Sequence, residues 1–125
     1  MKRVTRDINP EDARDLLERV PRVCMAFAGE DGPQAQPIAF VWREGLYLAG
    51  ISGKASSLPK PGDEVVFLID EGLYFFDLRA IYVRGRVTPV TPPEFAPVGY
   101  TWFTVEPTKT VAWDYGKLRG VPDEY

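Results

Sequence analysis

Ser52, Gly53 and Lys54 stand together where the apolar run Leu46–Ile51 gives way to small residues. Their types suit one task. A hydroxyl, backbone N–H groups and an ammonium beside the start of a helical turn are the donors a phosphate monoester needs. Ser56 and Ser57 follow and offer further donors, or caps for that turn. The competing reading is a polar hairpin loop with a solvated lysine, a common use of small residues. A Walker A nucleotide loop is excluded, because Leu48 and Ala55 occupy positions that motif reserves for glycine and for serine or threonine.

Composition narrows the remaining chemistry. The 125 residues include no histidine, which removes histidine-based triads, imidazole zinc sites and histidine-ligated haem. No Asp/Glu cluster shows the spacing of a carboxylate metal loop. Any catalysis therefore falls to an organic cofactor. Cys24 is the only cysteine, so no internal disulfide or cysteine cluster forms; its apolar surroundings predict a core residue. A net charge of −3 argues against nucleic acid and anionic membranes as partners. No run approaches the ~20 apolar residues of a membrane span, and the start of the chain lacks a signal-peptide core. The expected compartment is the cytoplasm.

These candidates need a scaffold, and the sequence describes one. Asn9-Pro10-Glu11-Asp12 starts a helix over about 10–20: a cap, a proline suited to the first turn, and acids at the positive dipole end. Ala13, Leu16, Leu17 and Val20 form its apolar stripe, and Pro21 ends it. The period then falls to two. Strands are expected over 23–28, 34–43, 46–50 and 65–70, with a long β-prone stretch over 74–89. Residues 91–96 read as a short helix or loop. Two last strands, about 100–106 and 109–114, bracket Glu106-Pro107-Thr108. Glycine and proline turns at such short intervals predict a mainly β, antiparallel barrel, because closure removes exposed edges. One domain is expected over 1–125, with the barrel over about 22–114 and an extended tail over 115–125.

In this order the pieces resemble the pyridoxamine 5'-phosphate oxidase-like family, the FMN-binding split barrels. The likeness runs from about residue 10 to residue 114. It rests on Asp31-Gly32-Pro33, the strand Pro37-Ile38-Ala39-Phe40-Val41-Trp42, the Ser52-Gly53-Lys54 turn, the strand Arg79 to Gly85, and Pro107 followed six residues later by Trp113. The resemblance implies a six-stranded antiparallel split barrel. It also implies a homodimer with FMN in two grooves at the subunit interface. Lys54, Ser52 and Gly53 would hold the phosphate with Arg79. Backbone around Pro37, Ile38 and Ala39, with Phe40, Ala49, Gly50 and Trp113, would border the ring.

Departures from the family pattern are informative. Ala49-Gly50 replaces an aromatic-Thr pair, Ala80 replaces a glutamine, and the C-terminal Arg-x-His substrate motif is absent. Oxidation of pyridoxamine phosphate is therefore not expected. The leading expectation is an FMN-dependent oxidoreductase of unknown substrate. The alternatives are a non-catalytic flavin-binding or sensor module, and an oxidoreductase using a deazaflavin. Residue by residue, each assignment has a structural competitor. Arg79 suits a surface ion pair, Trp42, Trp102 and Trp113 suit packing, and Gly85 suits a bulge in a curling strand.

Overall fold

A computed structural model describes residues 2–20, 23–55, 57–117 and 119–122. The expected helix is present in two pieces. Asn9 caps a 3-10 turn over Pro10–Ala13, its side-chain oxygen accepting from the Glu11 amide at 3.1 Å, and α1 follows over Asp15–Arg19. Ala13, Leu16 and Leu17 are buried, as their spacing requires.

The described residues also form nine strands: β1 (Lys2–Thr5), β2 (Asp7–Ile8), β3 (Val23–Gly29), β4 (Gly32–Arg43), β5 (Leu46–Ser52), β6 (Glu64–Glu71), β7 (Arg79–Pro89), β8 (Tyr100–Asp114) and β9 (Arg119–Pro122). Six of them close an antiparallel barrel in the order β8-β5-β4-β3-β6-β7, with β7 pairing back onto β8. β2 lies outside on the edge of β8, and β1 pairs with β9 as a separate ribbon. The interior is filled by Met25, Ile51, Phe67, Ile69, Ile81 and Val83, each essentially inaccessible.

Four expectations are corrected. β8 is one strand rather than two, because Pro107 sits at a bulge instead of a turn. Arg84 opposes Lys109 whereas Gly85 opposes Pro107, so Thr108 has no ladder partner and its hydroxyl donates to the Arg84 carbonyl at 3.2 Å. Gly85 marks that bulge as expected: a Cβ there would lie 2.3 Å from the Glu106 carbonyl oxygen. The bend lets β8 pair with β5 over its first half and with β2 near its end. The β-prone stretch from Tyr74 begins as a strand only at Arg79. Before it, the Asp77 carboxylate accepts the Tyr74 amide at 2.8 Å and a 3-10 turn forms over Phe75–Asp77. Neither Ala55 nor residues 57–60 are helical, against the helical turn expected after Lys54, whereas residues 91–96 form a loop with a turn, one of the two forms expected. Cys24 is exposed, because alternation along β3 buries Val23, Met25 and Phe27 and turns Cys24 outward opposite Pro37 and Leu68.

Candidate functional site

The Ser-Gly-Lys turn leaves the end of β5 where Ser52 opposes Tyr100 of β8. Its backbone donors are already engaged. The Gly53 amide donates to the Gly99 carbonyl at 2.7 Å, the Lys54 amide to Ser52 Oγ at 3.2 Å, and the Ala55 amide to the Ser52 carbonyl at 3.0 Å. The expectation of available amides backed by a helix N-terminus is therefore corrected. Gly53 serves a different purpose: a Cβ would stand 2.8 Å from the Gly99 carbonyl oxygen, so glycine permits the two loops to touch. Gly99, with φ near +89°, is a partner the sequence reading missed, and only its place after Pro97-Val98 signals a turn there.

Two donors remain for an anion. Lys54 is exposed, with no ion pair among the described residues, and the Ser52 hydroxyl still has its proton to give. Ser56 lies outside the described residues. Ser57 lines a cavity of about 530 Å³ behind the turn, together with Glu30 and Asp63. Lys60 in that cavity already faces Glu30 at 3.6 Å, so this space suits an anion poorly. Lys54 and Ser52 fit a phosphate; the backbone of the turn does not add to them.

Alternation divides the ring-bordering candidates into two sets. Ile38, Phe40 and Ala49 point into the barrel: Ile38 and Ala49 are buried, and the Phe40 ring meets Phe67 edge-on at 5.4 Å. Their side chains are thus core, and only their backbone can border a ligand. Pro37, Ala39, Gly50 and Ser52 have the opposite parity and lie on the outer face of the barrel, where Pro37 is exposed, Ala39 and Ser52 are half-buried and Gly50 is buried. Ala39 opposes Gly50, which opposes Trp102, so two of the smallest side chains stand beside an indole across three strands. Gly50 is required there, since a Cβ would lie 2.7 Å from Trp102 Cζ2. The Trp102 indole N–H is buried, with no acceptor among the described residues. β4 also changes partner here, pairing with β3 up to Ile38 and with β5 from Ala39 onward. This change of partner is the split in the barrel wall, and it leaves the β5-side edge of β4 without a ladder partner before Ala39.

Arg79 and Trp113 lie elsewhere. Arg79 opposes Glu71 and Asp114 and donates to Asp15 Oδ2 at 2.6 Å and Oδ1 at 3.1 Å, with Glu71 at 3.6 Å. Arg19 joins the cluster through both Asp15 and Glu71. Hydrogen bonding to Arg79, then to Arg19, holds the Asp15 carboxyl at about 2 against the desolvation that opposes it. Trp113 packs beside Ala80, with the Arg6 guanidinium 5.0 Å from its ring centroid and Tyr82 at 6.2 Å. The chain thus gathers Ser52, Lys54, Gly50, Ala39 and Pro37 at one place, and sets Arg79 and Trp113 near the far end of β8.

No family model matches the sequence. Solved structures do. An FAD-binding protein from Mycobacterium smegmatis superposes with TM-score 0.66 at 18% identity, covering 86% of this chain and 98% of its own. The chain has the split-barrel fold. A Corynebacterium glutamicum protein named provisionally as a pyridoxamine 5'-phosphate oxidase gives TM-score 0.65 at 18% identity, with 88% and 96% covered. An F420 reductase gives TM-score 0.57 at 20% identity, with 78% and 94% covered. At such identities the likeness is one of fold. Among the described residues no helix is long and apolar enough to cross a membrane, and no group of three potential ligands is placed to hold a metal.

Proposed function

We propose that the chain binds FMN in a groove between two copies and works there as a flavin-dependent oxidoreductase of unknown substrate. One observation carries this reading: on the outer face of the barrel, Ala39 lies beside a Gly50 covered by the Trp102 indole, and the same strand ends at the half-buried Ser52 hydroxyl and the exposed Lys54. Lys54 would meet the phosphate as a point charge and Ser52 would donate to it. A flat ring would lie beside Ala39, next to the indole that covers Gly50. Bound flavin would supply the electron and hydride chemistry. Arg79, held by two carboxylates, would act in stability instead.

The same layout supports a homodimer. Ser52 opposes Tyr100 at the start of β8, whereas Trp113 lies 13 residues further on. At ~3.3 Å per residue that is about 40 Å of strand, shortened only by the bulge. One copy would not bring both to one ring; a second copy, turned about a two-fold axis, would.

FMN titration followed by quenching of flavin fluorescence tests the reading. Wild-type protein is expected to bind at least about tenfold more tightly than Lys54→Ala, since charge-assisted hydrogen bonds contribute about 1.5–3 kcal/mol. Equal binding by the two would overturn it. A non-catalytic flavin carrier is the second reading, favoured by the engaged amides of the turn. Flavin that stays oxidised with NADH and NADPH would select that reading.

A further inference from the structure

The barrel end beside α1 carries a cavity that the flavin reading leaves unused. Its volume is about 360 Å³, and it lies between the N-terminal turn and the β4–β5 hairpin. Leu17 and Ile81 supply an apolar floor. Arg14, Glu11, Tyr47 and Thr110 bring polar groups to its rim. The Arg14 guanidinium lies over the Trp42 ring, 4.6 Å from its centroid, which fixes the plane of the cation. Glu11 faces Arg14 at 3.5 Å. Both charges are felt at the Tyr47 hydroxyl, which burial keeps protonated and able to donate.

A cation and an anion on one rim, above an apolar floor, select against singly charged ligands. A carboxylate would meet Glu11 and an amine would meet Arg14. A zwitterion satisfies both. The Arg14–Glu11 pair opens readily, because its side chains are 52% and 72% exposed and such pairs contribute about 0–1 kcal/mol. The volume is near the lower bound of ligand sites, about 300 Å³, which suits one small molecule. We propose that this cavity binds a free α-amino acid with an apolar side chain, its carboxylate on Arg14, its ammonium on Glu11 and its side chain against Leu17 and Ile81.

The test is a titration of the full chain with L-phenylalanine, read by NMR at the Trp42 indole N–H, Tyr47 and Thr110. Phenylpropionate, which lacks the ammonium, and phenethylamine, which lacks the carboxylate, serve as comparisons. Saturable shifts at those three residues are expected with phenylalanine. Each comparison ligand, and phenylalanine with Arg14→Gln or Glu11→Gln, should bind at least about tenfold more weakly, the scale of losing one charged partner. Both substitutions fall on exposed side chains and should leave the melting temperature near wild type. Lys54→Ala should bind phenylalanine as wild type does, so loss of the flavin anchor leaves this result standing. Absence of saturable shifts, comparison ligands of equal affinity, or unchanged binding by Arg14→Gln would each overturn the proposal.

Discussion

Lys54 and Arg79 both offer the positive charge a phosphate needs, and the fold treats them in opposite ways. Lys54 projects from a turn whose own hydrogen bonds are complete, with no carboxylate within pairing distance among the described residues. Arg79 is three-quarters buried, its side chain 23% exposed, and is held by Asp15 and Glu71. One cation is available to a ligand; the other ties α1 to the start of β7. Charge alone did not distinguish them, and surroundings do.

The sharpest way to break this contrast is to destroy the surface that Lys54 borders. Gly50→Val would place a Cβ 2.7 Å from the Trp102 ring. The indole would have to shift, at a cost of about 1–3 kcal/mol in stability as in other overpacked sites. FMN affinity should fall with it if the displaced indole borders the ring. Urea unfolding and FMN titration on the same sample measure both. Loss of stability with unchanged flavin affinity would place the ring elsewhere.

Exchanging the roles of the two cations sharpens the contrast further. Lys54→Ala should weaken FMN binding at least about tenfold while leaving the unfolding midpoint unchanged. Arg79→Ala should do the reverse: a loss of about 1 kcal/mol or more in stability, from a partly buried bidentate pair, with flavin affinity within about threefold of wild type. A large affinity loss in Arg79→Ala would return that residue to the phosphate site. In that case the second copy would have to bring it there.

How much of this was legible depended on the range of the interaction involved. The Asn9 cap, the Ala13-Leu16-Leu17 stripe and the alternation of β4 are local patterns, and each appears where its residues placed it. The bulge at Gly85 was also legible, since glycine in a strand interior has few other uses. Pro107 misled, because a proline that breaks an isolated strand is tolerated where the ladder is already displaced. The Gly53 amide misled for a related reason: its acceptor, Gly99, comes from a distant loop and no local rule announces it. Cys24 was misjudged on composition, whereas its alternation with Val23 and Met25 would have turned it outward. The period of two turns the Phe40 side chain inward onto Phe67, whereas the expectation for Pro37, Ile38 and Ala39 concerns their backbone, which alternation leaves in place.

The smallest expected effect isolates the Arg79 side of the contrast by pH. In the folded chain, bonding to Arg79 and then Arg19 lowers the Asp15 carboxyl from 3.8 to about 2. A carboxyl that releases its proton more readily folded than unfolded stabilises the fold while ionised. That contribution is complete above the unfolded value of 3.8 and drains away as pH falls toward about 2. Glu71, lowered chiefly by its hydrogen bond to Arg19, drains on the same acid limb. Because the Asp15 side chain is 44% exposed, solvent screens the pair, and the amount at stake is about 1 kcal/mol or less. Thermal melts of wild type and Asp15→Asn should therefore differ by a constant margin from neutral pH down to 3.8. The margin should then shrink and close near the lower value. Lys54→Ala should keep the full wild-type acid limb, because Lys54 makes no ion pair among the described residues and does not touch the Asp15 cluster. A margin that survives at the acid end would mean that Asp15 acts through packing, and the contrast between the two cations would then rest on exposure alone.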